Sequence, residues 1–223
     1  MLTTKYSKKG NQFKQVIEIY LFINPLGSTC YEAEKGLLDF VESREEKVHF
    51  HFIPVHNFKT FSDYMKAKKL PKNNLNLRNE LFFQIYDACL AYAAASMQGK
   101  KKGRVFLMEL QQAITVQNQP FSQKLIQETA QKAKLDIPMF LEDKKSEFAK
   151  TVFESDQKIA REMQVLSTPS CVVFSDQTKN HGVLVEEEIT IELLQELCNE
   201  ADTTKLAPYR ALSDSKKSHL HVL

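Results

Sequence analysis

Cys30 is the residue of this 223-residue chain whose position best suits it for chemistry. It follows an apolar run, Ile17–Ile23, and the turn-forming step Asn24-Pro25, which together predict a strand, a turn and the start of a helix. A helix N-terminus has free N–H groups and a positive partial charge, so a thiol placed there loses its proton more easily than a free thiol. The spacing therefore makes Cys30 the best candidate for thiol chemistry, while an inert thiol, half buried under Pro169, stays open as the alternative.

The other three cysteines are better explained as core residues. Cys89 and Cys198 lie on the apolar stripes of predicted helices, and free cysteine is often a small buried side chain. Cys171 follows Pro169 in an apolar run, so a buried strand position is favoured, while a position beside Cys30 stays open. No two of the four form a CxxC pair. The spacing therefore predicts neither a disulfide framework nor a zinc site, and it favours the reducing cytoplasm.

Two pairs of histidines are the next candidates for chemistry. His49 and His51 lie on one face of a predicted strand, and His219 and His221 lie near the end of the sequence. A metal site needs several converging ligands, and no further ligand accompanies either pair. The sequence therefore predicts no metal and no other cofactor.

The elements around Cys30 are predicted to follow the order β-α-β. The helix that starts near Cys30 has apolar residues at helical spacing, and strict alternation over Val48–Ile53 indicates a strand. The apolar side of this helix is predicted to consist of Ala33, Leu37, Leu38 and Val41, with Glu32, Glu34, Lys35 and Glu42 elsewhere. A β-α-β order favours a parallel strand pair with a right-handed crossover.

Residues 58–164 contain no convincing strand. Helices are predicted over about 60–68, 79–98, 104–114 and 151–164, with further helices from Ser122 and from Asp136. The asparagine-rich stretch 73–79 is predicted to be a loop long enough to bind a partner. Gly99 and Lys100–Lys102 are predicted to close the helix before them, because cations complement the negative end of a helix dipole.

After this helical block the pattern returns to strands. Residues 170–174 and 181–185 are predicted to form a hairpin around a turn at 176–180, and 190–199 a final helix. The chain is therefore predicted to be an α/β protein in which an all-helical insertion separates a β-α-β half from an α-β-β-α half. Its predicted parts are a flexible N-terminus (1–15), a core (16–57 and 151–200), an inserted helical subdomain (58–150) and a C-terminal tail (201–223).

Composition limits the classes of partner. The formal net charge of +2 and the lack of one basic, aromatic-rich face argue against nucleic acid. No run approaches the roughly 18 apolar residues of a membrane span. Glu18 interrupts the apolar run that follows the lysine-rich start, which argues against a signal peptide. The basic clusters Lys66–Lys72 and Lys100–Arg104 are either solvated faces or a docking surface for an acidic partner.

The chain resembles the DsbA-like branch of the thioredoxin superfamily over about residues 17–199. The resemblance rests on Asn24-Pro25-Leu26 after the first strand, the helix at Cys30, the helix end Lys158–Val165 and the segment Ser167–Ser170. Within the branch, the chain is most similar to the YjbH/SpxH adaptor proteins and to the FrnE-like dithiol-disulfide isomerases. The resemblance implies a thioredoxin-like fold of the DsbA type, with Pro169 in cis beside the start of the first helix.

In the oxidoreductases of this branch a CxxC motif opens the first helix, and the resemblance places that motif on Gly27-Ser28-Thr29-Cys30. Gly27 takes the place of the nucleophilic cysteine and Cys30 that of the resolving cysteine, so the usual disulfide cycle cannot run. The active-site-like residues that the resemblance implies are Gly27, Ser28, Thr29, Cys30, Thr168 and Pro169. Of these, Cys30 is the catalytic candidate, on the condition that it is redox-active.

The resemblance implies an adaptor that binds the redox-responsive transcription factor Spx, or a protein like it, and presents it to the ClpXP protease. This activity needs a recognition surface and no thiol pair, so the missing cysteine counts against an enzyme more than against an adaptor. Two alternatives stay open: a thiol-disulfide oxidoreductase or isomerase that works through Cys30 alone, and a kappa-type glutathione transferase that uses Ser28. For Ser28 and Thr29, capping of the helix is the simpler interpretation.

Overall fold

The computed structural model describes residues 16–175, 182–186, 188–199 and 210–211 of the chain. In these ranges the strands are β1 (Val16–Ile23), β2 (Lys47–Pro54), β3 (Ser170–Phe174), β4 (Val183–Val185) and β5 (Arg210–Ala211). The helices are α1 (Ser28–Glu42), α2 (Phe58–Ala67), α3 (Leu75–Met97), α4 (Lys100–Gln111), α5 (Gln123–Lys132), α6 (Ile137–Asp143), α7 (Glu147–Glu162) and α8 (Ile191–Asn199). A π-helical turn, Gln112–Val116, continues α4. The predicted order of β-α-β, helical block, two strands and final helix is confirmed.

β1 is the strand around which the described sheet is arranged, in the order β2-β1-β3-β4-β5. It pairs in parallel with β2 and antiparallel with β3, and β4 continues the antiparallel part. The register places Phe22 of β1 opposite Ser170 and Ile23 opposite Pro54. The C-terminal end of β1 therefore lies beside the N-terminal end of β3. The turn before α1 and the segment before β3 meet at this edge of the sheet.

Apolar layers cover both faces of β1, which explains why its sequence is almost continuously apolar rather than alternating. One layer joins α1 and α8 to the face that carries Leu21, and another joins α7 to the opposite face through Ile159. A further cluster fills the helical block around Phe106. The hydroxyl of Tyr92 on α3 donates to the carbonyl of Phe52 on β2 at 3.2 Å, so the helical block is also hydrogen-bonded to the sheet.

The prediction of a loop over 73–79 is wrong for most of that range, because α3 begins at Leu75. Asn74 is the N-cap of α3, and its side chain accepts a hydrogen bond from the N–H of Leu77 at 3.0 Å. Asparagine is common in loops and is equally a preferred N-cap residue. Composition alone therefore did not separate the loop from the start of the helix.

Lys100–Lys102 form the first turn of α4, so the prediction that they complete the preceding helix is wrong. α3 ends at Met97, and Gly99, with a φ of 121°, redirects the chain before the next helix begins. Such a positive φ is easy for glycine and strained for other residues. The prediction that Gly99 follows a helix end is confirmed.

β5 pairs antiparallel with β4, within the segment 201–223 that was predicted to be a tail. A strand of this length has no alternation that a sequence pattern could reveal. The predicted N-terminus (1–15), the turn at 176–180 and the pair His219 and His221 lie outside the described residues. None of the described helices is both long enough and apolar enough to cross a membrane.

Candidate functional site

Asn24 fixes the turn between β1 and α1. The N–H of Leu26 donates to Asn24 Oδ1, and the N–H of Gly27 donates to the Asn24 carbonyl, both at 2.9 Å. Asn24 is itself buried, and its own N–H donates to the sulfur of Cys30 at 3.2 Å. An asparagine side chain that bonds to the backbone just after it stabilises a tight turn. This turn places Cys30 as the third residue of α1.

The Cys30 thiol is almost fully buried, with 1% of the residue exposed. Burial raises the pKa of the thiol to about 12, because a thiolate loses its hydration there. The hydrogen bond from the Asn24 N–H lowers this pKa, the charge of Glu34 raises it, and hydrogen bonds with the side chains of Thr168 and Thr29 lower it. Burial outweighs the position at the helix N-terminus, which favours the inert, buried thiol over the reactive one.

The Thr168–Pro169 peptide bond is cis, as the resemblance implied. The loop that contains it is held by Ser170, whose Oγ donates to the carbonyl of Ser167 at 2.7 Å, and by the pairing of β3 with β1. Thr29 of α1 lines the same groove as Thr168 and Pro169 of this loop. The two segments singled out in the sequence, far apart along the chain, therefore form one site.

Gly27 lies where a first cysteine would complete a CxxC motif. A Cβ atom built on Gly27 would lie 3.1 Å from the Sγ of Cys30. Across a disulfide, the Cβ of one cysteine lies about 3 Å from the sulfur of the other, so the backbone here has the spacing of an intact motif. The φ of −88° and ψ of 127° at Gly27 suit a residue with a side chain equally well. The site lacks a second sulfur, so it cannot form an internal disulfide.

Ser28 and Thr29 are the first two residues of α1, and both are exposed. The N-cap residue of the helix is Gly27, and no side chain caps it. The predicted capping by Ser28 or Thr29 is therefore wrong. The Asn24 turn places the N-cap at Gly27, so Ser28 and Thr29 already lie inside the first turn of α1 and cannot cap it.

Glu34 is a buried member of the site that sequence reasoning missed. It was predicted to lie off the apolar side of α1, and this is wrong, because the residue is 0% exposed. Gln111 of α4 donates from Nε2 to Glu34 Oε1 at 2.7 Å, while Oε2 has no hydrogen-bond partner among the described residues. Burial raises the pKa of the carboxyl group to about 8, although the Gln111 hydrogen bond lowers it. Its spacing in the sequence could have predicted this burial, because Glu34 lies one helical turn after Cys30 and one turn before Leu37, on the same face of α1.

Cys89, Cys171 and Cys198 are buried and free, which confirms their prediction as core residues. Cys171 shares an apolar cluster with Cys30 and Cys198, and it lies opposite Leu21 in the sheet. Burial raises the pKa of the Cys198 thiol to about 12 and also raises that of the Cys171 thiol. Buried thiols with raised pKa values are poor nucleophiles, so none of the three adds to the site.

The two described histidines of β2 do not form a metal site. His49 is exposed, and His51 stacks on Tyr20 of β1 with ring centroids 4.9 Å apart. Burial lowers the pKa of His51, which favours the neutral ring in this stack. Across the described parts of the chain, no group of three or more His, Cys, Asp or Glu residues could hold a metal ion.

A groove of about 950 Å³ runs beside the site, between α1, the Pro169 loop and the chain that leads into α8. Its acidic lining residues are Glu32, Asp39, Asp63, Glu186, Glu188 and Glu192. Lys35 is the cation among the described lining residues, and its Nζ is already 2.7 Å from Glu32 Oε2. The groove is therefore negative, and it favours a neutral or cationic ligand over an anionic one.

Comparison with known proteins places this geometry in a family. A family model described as thioredoxin matches residues 20–196, which is most of the chain. Relatives named ClpXP adapter protein SpxH also match. The Bacillus subtilis protein is 25% identical over 206 residues, covering 82% of this chain and 67% of the relative. The Shouchella clausii protein is 27% identical over 206 residues, covering 82% of this chain and 68% of the relative. The Staphylococcus aureus protein is 26% identical over 170 residues, covering 76% of this chain and 60% of the relative. The chain thus spans 60% to 68% of the length of these three relatives.

Solved structures share the fold. The oxidoreductase DsbA from Xylella fastidiosa aligns with a TM-score of 0.55 at 14% identity, covering 81% of this chain and 83% of that protein. The thiol-disulfide exchange protein alpha-DsbA2 from Wolbachia pipientis aligns with a TM-score of 0.54 at 13% identity, covering 83% of this chain and 82% of that protein. These likenesses confirm the predicted DsbA-type fold with its helical insertion. Because the family model spans most of the sequence and the fold agrees with it, we conclude that this chain belongs to the thioredoxin family.

Proposed function

We propose that this chain is a non-catalytic adaptor that binds a redox-responsive, Spx-like transcription factor and promotes its degradation by the ClpXP protease. The observation that carries the proposal is the state of the site, where Gly27 replaces a thiol and Cys30 is buried. A fold with this site but without a thiol pair suits binding better than disulfide turnover. The relatives named ClpXP adapter protein SpxH support the same class of function.

An adaptor needs a surface that recognises its client, and the edge of the site provides one. Thr29, Thr168 and Pro169 line the negative groove, and Ser28 is exposed in the first turn of α1. We propose that the client contacts this edge while Cys30 stays beneath it as a packing residue. The free thiols and the ClpXP partner fit a location in the reducing cytoplasm.

A thiol-disulfide oxidoreductase or isomerase that works through Cys30 alone is the second candidate. The observation in its favour is the position of Cys30 in the first turn of α1, whose Thr29 lines the same groove as Thr168 and Pro169. The buried, protonated thiol counts against it, because exchange needs a thiolate that a disulfide can reach. A kappa-type glutathione transferase is less favoured still, because glutathione carries net negative charge and the groove beside the site is negative.

A reconstituted degradation assay in reducing buffer tests the proposal. Purified ClpXP, ATP and an Spx-like regulator would be mixed with and without this chain, and the loss of the regulator followed over time. We expect the chain to accelerate the loss. We expect Cys30→Ser to act like the wild type, because the buried thiol is not part of the recognition surface.

Two controls make the result interpretable. Cys89→Ser places the same substitution at a buried cysteine of the helical block, which separates a role of Cys30 from damage to the fold. A ClpXP substrate unrelated to Spx should be degraded at an unchanged rate. Absence of acceleration with every form of the chain would overturn the adaptor proposal. A loss confined to Cys30→Ser would favour single-cysteine thiol chemistry.

A further inference from the structure

A small pocket in the helical block adjoins the negative groove at Asp63, which lines both. It is bounded by the C-terminal half of α2 and by the chain from Lys72 to Arg78, and its volume is about 230 Å³. Lys66, Lys72 and Arg78 supply its cationic lining, and Phe61 and Met65 its apolar lining. Phe61 and Met65 are 2% and 4% exposed, so the pocket has a firmly packed apolar base beneath charged walls.

The cations of this pocket have no carboxylate partner. Among the described residues, no ion pair includes Lys66, Lys72 or Arg78. The acid at the pocket, Asp63, is paired with Lys59 instead, with 2.6 Å between Asp63 Oδ2 and Lys59 Nζ. Arg78 Nη1 donates to the carbonyl of Lys72 at 3.4 Å, which brings these two walls together. Like charges gathered without a counter-ion repel one another, and a bound anion would relieve that repulsion.

The chain around the pocket extends its positive field. From Tyr64 to Asn79 the sequence has no acidic residue and carries the basic residues Lys66, Lys68, Lys69, Lys72 and Arg78. The first turn of α3, which forms one side of this region, also has no acid. Charge and shape together therefore select an anionic ligand.

The apolar surfaces favour an acidic polypeptide over a free anion or a nucleic acid. Phe61 and Met65 can contact the aliphatic part of a glutamate side chain. Leu75, between Lys72 and Arg78 in the chain, is 67% exposed and offers a contact to a neighbouring apolar residue. The volume is below the roughly 300–1,000 Å³ of most small-molecule sites, so one side chain fits better than a nucleotide.

We propose that this pocket docks an acidic segment of a partner protein and takes up one carboxylate side chain between Lys66, Lys72 and Arg78. The proposal goes beyond the adaptor function, because it concerns the basic pocket and not the negative groove, with which it shares Asp63 among the described lining residues. It holds for whichever protein supplies the segment. Both proposals can therefore fail independently.

Fluorescence anisotropy with a labelled glutamate-rich peptide that also carries leucines tests the docking surface on the full chain. Lys72→Glu/Arg78→Glu should weaken binding about tenfold or more, because it reverses two of the converging charges. The matched control is Lys47→Glu/Lys145→Glu, which changes the net charge equally at exposed lysines outside both basic clusters. Circular dichroism and thermal melting verify that each variant is folded.

We expect the control to bind within about twofold of the wild type and a peptide with glutamine in place of glutamate not to bind. Equal weakening by both double variants would overturn the proposal, since net charge alone would then explain binding. It would equally be overturned if neither variant weakened binding. Tighter binding of inorganic phosphate, or of an RNA oligonucleotide of the same charge, would assign the pocket to those anions and reject the acidic segment.

Discussion

Two opposing influences meet at the Cys30 side chain. The helix N-terminus and the Asn24 N–H favour the thiolate, while burial favours the protonated thiol. Burial prevails, and the pKa is raised to about 12. A cysteine in the right place along the sequence is therefore not sufficient for reactivity, because exclusion of water from the sulfur decides its protonation.

Gly27→Cys is expected to create a disulfide with Cys30. The Cβ position at residue 27 lies 3.1 Å from the Cys30 sulfur, close to the spacing that a disulfide needs. After incubation with oxidised glutathione, alkylation and mass spectrometry should show that both thiols of this pair are lost from the count of free cysteines. Mapping of the linked peptides should place the bond between residues 27 and 30.

Ser28→Cys is the matched control, because residue 28 is exposed and adjacent in the same turn. It should take up glutathione without forming a bond to Cys30. If Gly27→Cys stayed fully reduced under conditions that modify Ser28→Cys, the inferred spacing would be incorrect.

Glu34→Gln is expected to remove part of the pH dependence of stability. The carboxyl pKa is about 8 in the folded chain and 4.5 ordinarily, so between these values the unfolded chain has released a proton that the folded chain retains. The free energy of unfolding of the wild type therefore falls as pH rises through this window, by roughly a few kcal/mol at most. The variant should lack this fall and should gain stability relative to the wild type at alkaline pH, measured by urea unfolding.

Glu32→Gln, an exposed change on the same helix, is the control for Glu34→Gln and should leave the slope unchanged. Burial also raises the pKa of Asp156 to about 8, and this residue is present in every form, so only the difference between proteins reports on Glu34. Identical slopes in the wild type and Glu34→Gln would show that Glu34 is not buried as a protonated acid.

At the scale of elements, side-chain caps mark where most helices of the inserted block begin, α4 being the exception. Asn57 caps α2 in a reciprocal capping box with Thr60, Asn74 caps α3, and Ser122 caps α5. Each cap satisfies N–H groups that a helix start leaves without a partner. These residues therefore fix where three helices of the block begin.

Asn74→Ala is expected to lower the free energy of unfolding by about 1 kcal/mol, because the N–H of Leu77 loses its acceptor. Asn73→Ala, one residue earlier in the exposed loop, should change it by less than about 0.5 kcal/mol. Urea unfolding monitored by circular dichroism measures both. If the two substitutions lowered the free energy of unfolding equally, Asn74 would not be acting as the N-cap of α3.

Local pattern was enough to predict most of these elements and failed where a distant contact decided. The alternation of β2 and the helix start at Ser122 are local signals, and the structure bears them out. Lys100–Lys102 were misplaced because nothing in a local window shows that a second helix follows Gly99 at once. Glu34 was missed because Gln111, which accompanies its burial, lies in another helix.

At the scale of the whole molecule, hydrogen bonds tie the inserted helical subdomain to the core. Gln157 of α7 lies in the core itself, where it accepts from the N–H of His56 at 3.0 Å and donates to the carbonyl of Pro54 at 2.8 Å. Tyr92 of α3 reaches Phe52, and Gln111 of α4 reaches Glu34. The inserted subdomain and the core are therefore expected to unfold as one cooperative unit, in keeping with the prediction that the helical block is an insertion within a single composite fold.

Tyr92→Phe tests this cooperativity because it removes a bond between block and sheet. Hydrogen exchange read by mass spectrometry should give the same opening free energy for the slowest amides of α3 and of β1 in the wild type. The substitution should lower both by about 1 kcal/mol, the typical net contribution of a hydrogen bond. A decrease in α3 alone would show that the block opens independently of the sheet.

The backbone spacing at Gly27 also bears on how this protein can change by mutation. The glycine codons GGT and GGC become cysteine codons through a single base change. Because the Cβ position at residue 27 already faces the Cys30 sulfur at disulfide spacing, a gene with either codon there is one point mutation from encoding a CxxC motif. In a mutagenised population selected for disulfide formation, position 27 is where the first gain-of-function alleles are expected.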